Sequence, residues 1–150
     1  PTSGVHMYKR ILVPTDGSEI TAKALQHAIA LAKLSGGELF ALSVKEPFPY
    51  SAISEMQPVP PQEFYDAQER IAAQRVAAAV DAAKAEGVGC HGHTTEALHP
   101  WEAILDHAST QNCDLIVMAS HGRRGVAALL LGSETQRVLI HSKLPVLVVR

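Results

Sequence analysis

Apolar positions along the 150-residue chain fall into two alternating patterns. The runs Ile11-Leu-Val13, Leu39-Phe-Ala-Leu-Ser-Val44, Leu115-Ile-Val-Met118 and Val146-Leu-Val-Val149 are short and continuous. Such runs are expected of strands covered on both faces. Val88 to Thr95 reads as a further strand, third in order, whose glycines and histidines suit a sheet edge. Between these runs the apolar residues recur at helical spacing. Ser18 to Leu34 places Leu25, Ala28, Ile29 and Ala32 on one face and stops at Gly36-Gly37. Glu63 to about Glu86 carries a small-residue stripe of Ala72, Val76, Ala79, Val80 and Ala83. Pro100 opens a third helix with Trp101, Ile104, Leu105 and Ala108 on one side, and Ser133 to Ser142 forms a fourth. Five strands alternating with four helices imply right-handed βαβ units and an open parallel sheet with helices on both faces, the α/β class. No internal repeat is present, so residues 7–150 form one domain.

One segment breaks the alternation. Residues 45–62 hold five of the nine prolines and show no periodicity. A connection that long inside a compact domain points to a lid, an interaction segment or disorder. Pro1 to His6 is read as a remnant ahead of a natural start at Met7. Composition narrows the classes without choosing one. At 47% hydrophobic and 19% charged residues the chain is of soluble globular type, and a net charge of −2 argues against a large nucleic-acid footprint. No apolar run approaches membrane-spanning length and no secretory leader is visible, so the expected location is cytoplasmic, away from membranes. Cys90 and Cys113 form no CxxC pair and are expected to be reduced, packed thiols. His91-x-His93 places two imidazoles on one strand face; with no further ligand nearby in sequence, a surface pair is preferred to a metal site.

The chemistry concentrates after the fourth strand. Ala119-Ser-His-Gly122 is followed by nine residues and then Gly132-Ser133 at the start of a helix. Strand, glycine-bracketed loop and helix is an arrangement in which backbone N–H groups receive phosphate. Arg123, Arg124, Arg137 and Lys143 crowd the region, and Glu134 is the only acid between His121 and Lys143. The spacing matches neither the Rossmann fingerprint nor the Walker loop. A purely architectural reading stands beside the phosphate one: the glycines serve turns, and Ser133 as N-cap forms a capping box with Gln136. Asp16, just past the first strand, likewise either forms a capping box with Glu19 or accepts hydrogen bonds from a ligand.

These motifs resemble the universal stress proteins, whose nucleotide loop reads Gly, two residues, Gly, nine residues, Gly, then Ser or Thr. The similarity extends from Tyr8-Lys-Arg-Ile-Leu-Val-Pro-Thr-Asp-Gly-Ser18 through Asp114-Leu-Ile-Val-Met-Ala-Ser-His-Gly122 to Leu144-Pro-Val-Leu-Val-Val-Arg150. One position departs: Ala119 stands where the family has its first glycine, an exchange tolerable at a strand end, where φ is normally negative. The resemblance implies strand order 3-2-1-4-5, an adenine nucleotide alpha hydrolase-like fold, with a crevice between strands one and four. It also implies that Pro14, Asp16 and Val44 surround the nucleoside of a bound ATP. Met118, Ala119, His121, Gly122, Gly132, Ser133 and Thr135 would surround ribose and phosphates, with Arg123 and Arg124 tuning phosphate binding. A divalent ion, Mg or Mn, would bridge the phosphates. The last strand, apolar at every position, is an unprotected edge expected to pair with its own copy in a homodimer, as the family commonly does.

Three function classes are carried forward. The leading one is a nucleotide-dependent stress-response or regulatory module; the others are a slow ATP-hydrolysing enzyme and a nucleotide-free dimeric scaffold. Turnover ranks below binding because Asp16 and His121 are the only general-base candidates. A phospho-acceptor regulator is disfavoured because strand three ends Thr94-Thr95-Glu96 without an aspartate. An FMN binder is disfavoured because Asp16-Gly-Ser-Glu19 is acidic where its phosphate would sit.

Overall fold

The computed structural model describes residues 7–47, 62–122 and 131–150. The hexapeptide 1–6, nearly all of the proline-rich segment, and both Arg123 and Arg124 lie outside the described residues. Five strands, β1 (Arg10–Pro14), β2 (Glu38–Lys45), β3 (Cys90–Glu96), β4 (Leu115–Ala119) and β5 (Val146–Val149), form one parallel sheet in the order β3-β2-β1-β4-β5. Among the described residues four helices alternate with them: α1 (Glu19–Ser35), α2 (Gln62–Ala85), α3 (Pro100–Thr110) and α4 (Ser133–His141).

The continuous apolar runs have a direct cause. In β1, Ile11 and Val13 face α1 and α2 while Leu12 faces α3 and α4, and all three are fully buried. β4 divides the same way: Leu115, Val117 and Ala119 on one side, Ile116 and Met118 on the other. With helices on both faces, no position in a central strand is left to water. β3 is the opposite case, an edge strand whose central residues His91, Gly92 and His93 are exposed. Its glycine nevertheless has a packing role. A Cβ at Gly92 would lie 2.1 Å from Val76 Cγ1, so glycine is what lets α2 lie directly on β3. The small residues Ala72, Val76, Ala79 and Ala83 are the buried stripe of α2.

Ser18 is the N-cap of α1, accepting from the Thr21 N–H, so the capping box of Asp16 with Glu19, one of the two readings of that aspartate, does not form. The cap of α4 differs too. Gly132, at φ −69° and ψ 159°, is the N-cap, and Ser133 is already the first helical residue. The cause is tertiary: Gly132 N–H donates to the Ser120 carbonyl at 2.7 Å, which fixes the point of entry into the helix. Gln136 turns its amide to the Leu131 carbonyl instead of closing a capping box with Ser133.

Candidate functional site

The crevice at the carboxyl ends of β1 and β4 is built from two loops that reach each other. On the β1 side, Thr15 N–H donates to the Leu42 carbonyl at 2.8 Å, tying the loop to β2. The next residue, Asp16, organises the turn into α1. Its Oδ1 accepts from Ser18 N–H at 2.9 Å and from the Thr21 hydroxyl at 3.0 Å. Its Oδ2 faces the other loop: a Cβ added at Gly122 would lie 3.2 Å from it. Residues 106 positions apart in sequence therefore meet across the switch point of the sheet, and glycine is what admits the carboxylate.

On the β4 side the backbone is held at three points. Ser120 N–H donates to the Val149 carbonyl of β5 at 2.8 Å, Ser120 C=O accepts from Gly132 N–H, and the buried Thr135 hydroxyl donates to the Ala119 carbonyl at 2.9 Å. Together these press the N-terminus of α4 against the end of β4. Gly132 has no side chain to cap that helix, and among the described residues no other side chain does so, which leaves its first-turn N–H groups without a side-chain cap there. A nine-residue helix carries enough aligned dipole to favour an anion there. His121 sits beside it, with its ring Nδ1 3.1 Å from Ser120 Oγ. Its Nε2 is buried and has no hydrogen-bond partner among the described residues.

The expected site residues separate into groups. Asp16, Ala119, His121, Gly122, Gly132 and Ser133 converge at the crevice. Pro14 ends β1 and Val44 is next to last in β2, both half-buried; Val44 packs partly against the α3–α4 face. Met118 is buried in that same core, beside Val138, and Thr135 spends its hydroxyl on Ala119. Three contributors escaped the sequence reading. Ser120 receives Gly132, Thr21 steadies Asp16, and Glu134 reaches over to α3. Only Thr21 left a local sign, a hydroxyl in the first turn after the aspartate.

The other reactive groups lie elsewhere. His91 Nε2 meets Glu38 Oε2 at 2.8 Å, whereas His93 stacks on His107 with centroids 4.6 Å apart. The two imidazoles thus have different partners. Among the described residues no three His, Cys, Asp or Glu side chains group as metal ligands, and no helix is long and apolar enough to cross a membrane. Both cysteines are free thiols; burial pushes Cys113 up to about 11 and raises Cys90, so both are protonated and unreactive near neutrality.

A parallel α/β sheet of order 3-2-1-4-5, with an acid after β1 and a helix entered through Gly132 after β4, defines a domain of the doubly wound class. Comparison with known proteins supplies the particular family. The model of the universal stress protein family matches residues 7–150, and the chain belongs to that family. Universal stress protein MJ0531 of Methanocaldococcus jannaschii is 32% identical over 157 residues, covering 99% of this chain and 85% of the relative. Among solved structures, that of MJ0577 from the same organism superposes with a TM-score of 0.81 at 31% identity, covering 95% of this chain and 96% of the other. A universal stress protein solved in complex with cAMP superposes with a TM-score of 0.71 at 28% identity, covering 95% and 97%.

Proposed function

We propose that this chain binds an adenine nucleotide, ATP with a divalent ion, in the crevice between β1 and β4. Its bound state would then set its pairing with partners in a cytoplasmic stress response. The observation that carries the reading is the α4 N-terminus, uncapped by any side chain among the described residues and pinned to β4 beside the Asp16–Gly122 contact. Phosphate oxygens suit those N–H groups, and the Asp16 carboxylate suits ribose or base hydrogen-bond donors. Further support is the complex of a 28% identical relative with cAMP, itself an adenine nucleotide.

In this reading Pro14 and Val44 flank the nucleoside, while Ala119, His121, Gly122, Gly132 and Ser133 surround ribose and phosphates. Met118 and Thr135 act from behind the loop, one by packing and one by fastening Ala119. Arg123 and Arg124, two residues of the same loop sequence, would tune phosphate binding, as guanidinium forks suit phosphate oxygens. Mg or Mn would supply charge neutralisation between phosphates. With no cluster of protein ligands among the described residues, phosphate oxygens and water would hold it.

A homodimer through β5 accompanies this reading. β5 is an edge strand with Leu147 38% exposed, and Ile140 at the end of the preceding helix is 71% exposed. Such an edge pairs readily with a second copy. The deciding experiment is to denature the purified protein, identify any released nucleotide, and titrate the emptied protein with ATP and adenosine by calorimetry. Released or titratable ATP supports the proposal, and turnover above a buffer blank would make the chain a slow enzyme. No nucleotide and no binding would leave the nucleotide-free scaffold.

A further inference from the structure

Helix α3 begins without a cap of its own. Its N-cap, His99, makes no side-chain capping hydrogen bond, and Pro100 fills the first helical position. The cap comes from the neighbouring helix: Glu134 Oε2 accepts from the backbone N–H of Trp101 at 2.9 Å. Glu134 is the second residue of α4, where an acid ordinarily serves its own helix and its own unpaired amides. Here α3 has drawn it away. Trp101 also meets the far end of α4, its indole stacked on His141 with centroids 4.5 Å apart and planes 18° apart. The two contacts lie roughly 10 Å apart along the helix axis, at about 1.5 Å per residue, and so fix the tilt of α4 on α3.

We infer that α3 controls the phosphate affinity of the loop by holding Glu134 off the α4 N-terminus. This rests on the nucleotide reading above. Glu134 has two resting places, the Trp101 N–H of α3 and the first-turn amides of α4. A bound phosphate is compatible only with the first, because two anions at one helix N-terminus repel and compete for the same donors. Linkage then makes the effect reciprocal. Whatever keeps Glu134 on α3 favours phosphate, and bound phosphate fastens Glu134 to α3 and steadies the β3–α3 corner. The nucleoside, bound through Asp16, is indifferent to where Glu134 rests.

His99 offers a handle outside the crevice. An aspartate at an N-cap accepts from the second or third N–H of its helix, and Trp101 is the second residue of α3. His99→Asp therefore takes the N–H that Glu134 uses and repels its carboxylate. His99→Ser competes in the same way without adding charge. By calorimetry both variants should bind ATP roughly two- to fivefold more weakly, the range of a charge at a helix terminus, with adenosine unchanged. Adding Glu134→Gln to either variant should restore ATP binding. Trp101, the only tryptophan, reports through its emission whether the α3–α4 contact stays folded. Undiminished ATP affinity in the folded His99 variants overturns the proposal, as does a loss that Glu134→Gln leaves in place or one shared equally by adenosine. A wild-type protein that binds no ATP removes the nucleotide reading itself, and this inference with it.

Discussion

A methyl group at Gly132 tests the loop at the point where strand and helix are pinned together. The backbone there, φ −69° and ψ 159°, suits any residue, so alanine introduces no torsional strain. Its Cβ would lie 3.3 Å from the Ser120 carbonyl oxygen and 3.4 Å from His121 Cα, slightly inside ordinary contact. The 2.7 Å hydrogen bond from Gly132 N–H to that same carbonyl resists the few tenths of an ångström needed. Overpacking of this mild kind costs about 1 kcal/mol. Loss of glycine's freedom in the unfolded chain returns about 0.4–1 kcal/mol. Gly132→Ala should thus melt within about 4 °C of wild type, a shift equivalent to about 1 kcal/mol in a domain of this size. Gly132→Val adds two further methyl groups against His121 and over the first-turn amides, for about 1–3 kcal/mol of destabilisation.

The ligand responds on a different scale. A hydrogen bond from N–H to a charged oxygen contributes about 1.5–3 kcal/mol. Losing one such bond lowers ATP affinity by roughly 10- to 150-fold. In calorimetric titrations of folded Gly132→Val, ATP should weaken by at least about tenfold, while adenosine, which carries no phosphate, should change little. Unchanged ATP affinity in folded Gly132→Val refutes the phosphate loop. A parallel loss of adenosine means that the crevice as a whole has collapsed and that the loop has no specific role.

Gly92→Ala drives a Cβ to 2.1 Å from Val76 Cγ1, so chemical denaturation should show it destabilised by about 1–3 kcal/mol, with Val76→Ala in the same chain recovering much of the loss. Burial, and then the nearby His93, lower the pKa of His107, so the folded state favours its neutral form. That contribution to stability is complete above the ordinary histidine value and is lost as pH falls through the lowered one. The melting temperature should therefore drop from pH 7.5 to 5.5, and drop less in His107→Phe; an equal drop in both excludes His107 as the origin. In β5 the carbonyls of Pro145 and Val149 face β4, which by strand alternation turns the amide of Val148 to the open edge. Val148→Pro should then shift a dimer to monomer in light scattering and keep the fold, and a dimer indifferent to it has its interface elsewhere.

Sequence pattern and structure agree where local composition has only one physical solution. Ile11-Leu-Val13 and Leu115-Ile-Val-Met118 are apolar at every position because helices cover both faces, and β3, with exposed His91 and His93, reads as an edge because one side is open. The disagreements arise where two local solutions are close in free energy and a distant group chooses between them. Ser133 is the better N-cap by residue preference, since its hydroxyl can accept from the helix, whereas Gly132 has none. Gly132 takes the position because its N–H belongs to the Ser120 carbonyl, twelve positions earlier, a contact that neither residue preference nor periodicity reveals. Ser18, not Asp16, caps α1, because Asp16 uses its Oδ1 on the Ser18 amide and the Thr21 hydroxyl.

The crevice is legible in the sequence only in part. Its glycines announce themselves, because close approach of backbone or carboxylate leaves a residue without a side chain at a countable spacing: Gly122 opposite Asp16, Gly132 against Ser120. Its supports do not. The Thr135 hydroxyl bonded to Ala119 and the Glu134 carboxylate bonded to Trp101 are ordinary polar residues on a helix, and nothing local distinguishes them from solvated neighbours. Yet Thr135 fastens α4 to β4 and Glu134 fastens it to α3, so the direction in which the helix presents its N-terminus depends on both. The glycines leave open space at the helix terminus; two residues with no visible signature set the direction in which that terminus points.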